Sequence, residues 1–447
     1  MKKKLERYGT YGTIVFKSLF LILTLLSFCS FTAHRTWMSY FSVIVTIVGA
    51  CVLLFRLTQF KSYYKTKYLV FLFIFTASYI LTMFLNYKYG ILESVKGLVW
   101  LSFQFFILYA CDTNKSPDDY KKEFKLLAHI VIVYFLISII ISLFMFAMGY
   151  SKSYTVNGEL VLSGFLWGRL WGTFSEPNIA SIGVCITAFL SLYFLQNTQV
   201  LWKKIFYIAT IILPIIYISL SDSRTGLVCL VIGVVFYTYL RFIGPARRKK
   251  GKIIFKQQVI SILLALVVGI GSFGLVTGAR EGYNLIASSI QTGPSDDPNS
   301  NQIGREQDLA EDISNRRFDI WKSGFELFQT SPVYGVGFRN ITAAAEERIP
   351  DTYIVNNDQG SFASLHNLWV DTLASQGLIG LLTLALFAIF IVYTLFRYIF
   401  WETDPAYYSY AITLFSSVTV CVVAALFVSD ILYVNKIGRA HVLTPVT

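Results

Sequence analysis

The segment Ser288-Ser289-Ile290-Gln291-Thr292-Gly293-Pro294-Ser295-Asp296-Asp297-Pro298-Asn299-Ser300 interrupts a chain that is otherwise almost wholly apolar. It lies in a polar stretch, Arg280 to Gln376, that carries 7 lysines and arginines against 14 acidic residues, a net of −7. The 447-residue chain around it is 55% hydrophobic, 17% aromatic and 14% charged, with a net charge of +12. Its mean hydropathy is +0.59. That balance is too apolar for a soluble domain. It describes a multi-pass membrane protein with one long polar loop, and a loop held by many spans can carry polar groups that lipid would exclude.

Outward from this loop, apolar runs of the roughly 20 residues needed to cross a hydrocarbon core recur along the chain. They fall near 12–34, 38–57, 68–87, 91–111, 128–149, 179–196, 205–220, 225–243 and 257–279 before the loop, and near 377–396 and 408–433 after it. The expected fold is an all-α integral membrane protein of eleven transmembrane helices, with a mostly helical loop between the ninth and tenth. The expected division is a nine-helix membrane region over 1–279, the loop over 280–376, two last membrane helices over 377–436 and a non-native tail over 437–447. That tail, from Ile437 to Thr447, resembles a translated sequencing adapter, and a twelfth span is expected in the intact protein.

Lysine and arginine set the orientation, because loops left in the cytoplasm keep an excess of positive charge. With a cytoplasmic N-terminus, the inside segments hold Lys2, Lys3, Lys4 and Arg7, then Arg56, Lys61, Lys65 and Lys67, then Lys115, Lys121, Lys122 and Lys125, then Lys203 and Lys204. The strongest cluster is Arg247-Arg248-Lys249-Lys250. The acidic loop therefore faces outward. The basic residues are spread over short loops of one membrane face rather than gathered into a groove with stacking aromatics, so no nucleic-acid partner is expected. The bilayer and its anionic headgroups are the expected contact.

The first apolar run contains Lys17 and ends at His34 and Arg35 without a small-residue cleavage pattern, so it reads as a span rather than a removed signal. All six cysteines lie in or beside spans, and their spacing fits neither a disulfide framework nor a metal knuckle. No metal site and no cofactor are expected.

Four pieces carry polar residues where chemistry is possible. Gln307 to Gln329 has an amphipathic helical pattern in Ile313, Ile320, Trp321, Gly324 and Phe328, ended by Ser331-Pro332, and Arg317 sits on its apolar face. An arginine there either snorkels, pairs with a loop carboxylate or awaits an anion. His366, in Ser364-Leu365-His366-Asn367-Leu368-Trp369, opens a helix expected to end near Gly377 and Gly380, and an imidazole is suited to taking a hydroxyl proton at neutral pH. Ser221-Asp222-Ser223-Arg224-Thr225-Gly226 puts an arginine at the mouth of a span, facing either lipid phosphate or an anionic substrate. Gly172-Thr173-Phe174-Ser175-Glu176-Pro177-Asn178 leads into the sixth span, where Glu176 and Pro177 also suit a helix start.

Taken in order, these pieces resemble the O-antigen ligase and polymerase superfamily of bacterial envelope glycosyltransferases. The matching residues are Gly172-Thr173-Phe174 with Pro177-Asn178; Ser223-Arg224-Thr225-Gly226; Arg317-Phe318-Asp319-Ile320-Trp321 followed by Pro332-Val333-Tyr334-Gly335-Val336-Gly337; and His366-Asn367-Leu368 followed by Gly377-Leu378-Ile379-Gly380. The resemblance implies an enzyme of the bacterial cytoplasmic membrane that takes a glycan from an undecaprenyl diphosphate carrier on the outer face and transfers it to a hydroxyl, without metal or nucleotide. A diphosphate leaving group needs its growing charge neutralised, which gives Arg224 and Arg317 their expected role. His366 is the expected base, with Asn367 or a nearby carboxylate orienting its ring. Arg169, Glu176 and Asn178 are expected substrate contacts.

Two activities share this pattern. A polymerase joins one lipid-linked oligosaccharide to another, and a ligase moves a finished glycan to a lipid or protein. A composition rich in Lys, Ile, Tyr and Phe suits an AT-rich genome of a single-membrane, capsule-making cell, and so favours the polymerase, with a flippase and a chain-length regulator as pathway partners. An exporter would need charges lining a mid-membrane path, and Lys17, Glu93 and Lys96 are scattered. A sensor would need a cytoplasmic output domain, and no inside loop is long enough.

Overall fold

The computed structural model describes the chain except residues 1, 65, 113–114, 157–158, 251–254, 291–302, 305–315, 358–360, 402–403 and 430–447. Most of the Ser288–Ser300 segment, Ile313 of the amphipathic pattern and the 437–447 tail lie outside the described residues. Among the described residues, ten helices are long and apolar enough to cross a bilayer, and Leu69–Leu85 makes an eleventh, shorter at 17 residues. At 1.5 Å per residue it is about 25 Å long, enough for much of a hydrocarbon core.

In chain order the helices are α1 (Lys2–Ser27), α2 (Thr36–Thr58), α3 (Leu69–Leu85), α4 (Ile91–Phe103), α5 (Pro117–Ala147), α6 (Pro177–Gln196), α7 (Leu201–Ser221), α8 (Arg224–Lys250), α9 (Phe255–Ile290), α10 (Arg317–Gln329), α11 (Ile341–Arg348), α12 (Leu368–Trp401) and α13 (Pro405–Ala424). All six cysteines are free thiols. A largely apolar core unites α5, α6, α7, α8 and α13 through Ile139, Phe174, Phe189, Tyr217, Leu230 and Phe415. A second joins α3, α4 and α12 through Leu72, Phe75, Leu101, Leu368 and Leu384.

Between α5 and α6 the chain forms a three-stranded antiparallel sheet that the sequence reading lacked. Its strands are β1 (Ser151–Val156), β2 (Glu159–Leu166) and β3 (Arg169–Gly172), in the order β1-β2-β3. The β2-β3 turn is Trp167-Gly168, with φ of 53° and 65°, the left-handed pair that matches the twist of a hairpin. Polar Ser and Lys in β1 and a half-exposed face hide this sheet from a hydropathy reading.

Several helix boundaries moved, among them the fifth span, which begins at Pro117 rather than 128, and the two that flank the polar loop. The ninth span runs on to Ile290 because its extra turns have partners: Tyr283 packs on Phe146 at 5.2 Å between ring centroids, Arg280 pairs with Asp222 at 2.9 Å, and Asn284 exchanges hydrogen bonds with Ile303. The tenth span begins at Leu368 rather than 377, and is broken at Gly377 (φ 62°, ψ −160°). The expectation that the helix after His366 ends at Gly377 therefore matches the break, with a second helical run following directly.

Candidate active site

Every polar motif singled out above lies at one end of the bundle, where α1, α3, α5, α7 and α9 end and α2, α4, α6, α8 and α12 begin. Residues 316–357 and 361–366 form a cap tied to that end. Thr82 donates to the carbonyl of Tyr334 at 2.7 Å, and Asn86 to that of Gly335 at 3.2 Å. Arg348 donates to the Tyr89 hydroxyl at 3.1 Å, Lys88 pairs with Glu347, and Arg339 pairs with Glu93 at 2.9 Å. Glu93 also pairs with Lys96 at 2.6 Å, so one of the scattered charges, Glu93, anchors the cap with Lys96 beside it. Lys17 pairs with Glu123 at 2.8 Å, towards the opposite end.

The break at Gly377 gives the cap its deepest attachment. An interrupted helix leaves carbonyls and amides unpaired, and the turn-rich run Pro332–Gly337 takes them up. Val336 N–H donates to Ala374 O and Gly337 N–H to Ser375 O, while Leu378 N–H donates to Pro332 O and Ile379 N–H to Val333 O, at 2.8 to 3.3 Å. The Pro332–Gly337 and Gly377–Gly380 motifs are thus two sides of one contact.

The first group of candidate residues is a half-buried network around the buried Arg169. Glu176 is the N-cap of α6: one carboxylate oxygen accepts from Ile179 N–H at 2.9 Å and the other from the Asn178 side chain at 2.9 Å. The Asn178 side-chain oxygen accepts from Arg169 Nη2 at 3.2 Å and from Ser223 Oγ at 3.0 Å. Arg169, 6% exposed, also donates Nε–H to Ser221 O at 2.9 Å. Ser223 caps α8 by accepting from Gly226 N–H at 3.0 Å. Arg169, Glu176 and Asn178 therefore converge on the turn that presents Arg224, half-buried as the first residue of α8. Asp222 within that turn has a left-handed φ of 45° and is held by Arg280.

The second group is built on α10, the His366 turn and the turn after α13. Arg317 opens α10, half-buried, with its guanidinium carbon 5.6 Å from the ring centroid of Phe427. Packing of α10 across the His366 turn is close: a Cβ on Gly324 would lie 2.7 Å from Leu365 Cδ1 and 2.8 Å from Val370 Cγ1. His366 is exposed, with a left-handed φ of 52°. That conformation costs a histidine on the order of 1–3 kcal/mol and persists only where its surroundings impose it. They do so here. Ser364 Oγ accepts His366 N–H at 3.2 Å, and Phe362 meets the imidazole edge-on at 6.2 Å.

Asn367 caps α12, accepting from Trp369 N–H at 2.9 Å and Val370 N–H at 3.3 Å. The carboxylate near the histidine is Asp371, 2% exposed, which accepts Leu365 N–H at 2.9 Å and the Ser364 hydroxyl at 3.1 Å, and is also bonded by Ser429. The turn after α13 links both groups. Its Ala425 carbonyl accepts Leu368 N–H at 2.9 Å, its Phe427 lies beneath Arg317, and its Val428 belongs to the same core as Leu220 and Ile303. The sequence reading did not name Asp371, Phe427 or Ser429. An acidic residue at the mouth of an apolar span was the available signal for Asp371.

The structure is that of a many-helix membrane protein with an arginine- and histidine-bearing cap on one end of its bundle. Residues 208–385 match the family model for O-antigen ligase, a match that supports the resemblance to the O-antigen ligase and polymerase superfamily. Arg224, Arg317 and His366 all fall inside the matched segment. An uncharacterized protein of Haemophilus influenzae is 22% identical over 248 residues, 54% of this chain and 52% of the relative, so the match spans about half of each protein.

Proposed function

We propose that this protein polymerises oligosaccharide repeat units carried on a polyprenyl diphosphate, working on the outer face of the bacterial cytoplasmic membrane with its N-terminus inside. The observation that carries the reading is the interlock of α10, the His366 turn and the Ala425–Ser429 turn, which puts Arg317 and His366 on elements in direct contact. The match of residues 208–385 to the O-antigen ligase family model supports glycan transfer in a membrane. The excess of lysine and arginine at the other end supports the orientation.

In this reaction the acceptor hydroxyl attacks the anomeric carbon of the donor glycan. His366 takes the hydroxyl proton, the bond from that carbon to the diphosphate oxygen breaks, and polyprenyl diphosphate leaves with its charge held by Arg224 and Arg317. Direct displacement inverts the anomeric centre. Arg169, Glu176 and Asn178 would act by fixing the Arg224 turn and meeting the donor headgroup beside it. A flippase supplying the donor and a chain-length regulator fit as partners.

The family description favours a second reading, ligation of a finished glycan to a lipid or protein. One experiment separates them: a strain lacking the gene is given the wild-type protein or its His366→Ala form, and its surface polysaccharide is run as a ladder. A polymerase restores long chains, and His366→Ala leaves single lipid-linked units. A ligase changes attachment to the final acceptor and leaves chain length alone.

A further inference from the structure

We infer that Asp371 is a positioning residue that, with Ser429, sets where His366 stands relative to Arg317. The inference rests on the glycosyltransferase reading and identifies what holds its proposed base in place. A carboxylate that is 2% exposed at the mouth of a span needs donors to offset its lost hydration. The end of α12 gives it a favourable field, yet the cap of that helix is already Asn367. Asp371 spends its oxygens elsewhere. Oδ1 accepts from Leu365 N–H at 2.9 Å, and Oδ2 from the hydroxyls of Ser364 at 3.1 Å and of Ser429.

Those donors belong to two turns. Ser364 and Leu365 immediately precede His366, and Ser364 Oγ accepts the His366 N–H at 3.2 Å, so the carboxylate fixes the residues that hold the histidine left-handed. Ser429 stands two residues beyond Phe427, the ring beneath Arg317, and its hydroxyl lies 3.1 Å from that of Ser364. One buried carboxylate therefore joins the turn of the proposed base to the turn supporting the proposed phosphate-binding arginine. Its role is geometric, since the groups presented to the membrane surface are His366 and Arg317.

The test uses purified full-length protein in nanodiscs and the polyprenyl-diphosphate-linked repeat unit extracted from its own strain. Asp371→Asn keeps the shape and loses the charge, and is expected to lower kcat tenfold or more while KM for the donor stays within twofold. In a His366→Ala background the same change is expected to cost nothing further, because the group being positioned is gone. Ser429→Ala should lower kcat in the same way, and Ser429→Thr, which keeps the hydroxyl, should restore it. If Asp371→Asn does not fold, the two Ser429 variants decide. Wild-type rates in Asp371→Asn, or an equal loss with and without His366, overturn the inference. A wild-type protein that transfers no sugar at all instead overturns the glycosyltransferase reading beneath it.

Discussion

Gly377 and Val333 meet backbone to backbone: a Cβ built on Gly377 would lie 2.4 Å from the carbonyl carbon of Val333. The contact is reciprocal, since a Cβ on Gly335 would lie 2.4 Å from the carbonyl carbon of Ser375. Gly377 also adopts φ 62° with ψ −160°, a region essentially restricted to glycine. Gly377→Ala should therefore lose on both counts, with strain and displacement of the Pro332–Gly337 run costing about 2–4 kcal/mol. Thermal unfolding of the detergent-solubilised protein measures it, and a melting point equal to wild type would show that the two segments do not meet this way.

Arg169 and His366 should fail in different ways. Replacing buried Arg169 with alanine removes the donors to Ser221 O and to the Asn178 side chain; Asn178 keeps Ser223, and the buried Ser221 acceptor left without its donor costs about 1–3 kcal/mol. Arg169→Ala is expected to melt early and to lose activity with the folded protein. His366 is exposed, so His366→Ala should keep wild-type stability to within about 0.5 kcal/mol while transfer falls by roughly 10²–10⁴. Measuring melting and turnover on the same preparations separates the two, and early melting of His366→Ala would argue against its catalytic role.

These contrasts follow the line between what was legible in the sequence and what was not. Ten spans and the shorter apolar helix Leu69–Leu85 were legible because a long apolar run is a strong local signal. Leu368–Gln376 was read as part of the polar loop because Asp371, Ser375 and Gln376 lower its hydropathy. Those residues are buried by partners distant in sequence, the Pro332–Gly337 run and the Ala425–Ser429 turn, and no local window contains them. Arg224 stood out as an arginine at a span mouth, Arg317 as an arginine on the apolar face of an amphipathic helix, and His366 as a histidine opening a helix in the polar loop. Ser429 did not, because its pairing with Asp371 bridges 58 residues and nothing local marks it. Arg169 and Asn178 were legible as candidates, but not their convergence on the Ser221–Ser223 turn, which depends on a sheet that only pairing reveals.

The cap should loosen at both pH extremes through Lys88 and Glu347, an exposed pair between the α3–α4 turn and α11. The hydrogen bond from Lys88 holds the Glu347 carboxyl below its ordinary range, and the same bond to Glu347 holds the Lys88 ammonium above its own. A lowered folded-state value on the acid means its contribution is present above the ordinary carboxylate range and lost as pH falls through the folded value. A raised value on the lysine means its contribution is present below the ordinary lysine value and lost as pH rises through the folded one. Hydrogen exchange of Ile341–Arg348, corrected for its intrinsic pH dependence, should quicken modestly at either extreme and in high salt. Lys88→Met should quicken it at neutral pH and abolish both dependences. Identical exchange in that variant would remove the pair from the cap's anchors.

The two arginines give the sharpest chemical prediction. A guanidinium offers a diphosphate two parallel N–H donors, whereas a lysine offers a point charge on a flexible stem. Arg224→Lys and Arg317→Lys should therefore keep the charge and still lose on the order of 10²-fold or more in kcat, comparable to the loss of one transition-state donor. Arg317→Lys also gives up the planar contact over Phe427, so Phe427→Leu should reproduce part of its defect while leaving Arg224-dependent steps alone. If these side chains neutralise the leaving group, transfer should persist in EDTA. Substantial loss of transfer in EDTA, restored by a divalent cation, together with full activity in both lysine variants, would move the charge-neutralising role from the arginines to a metal.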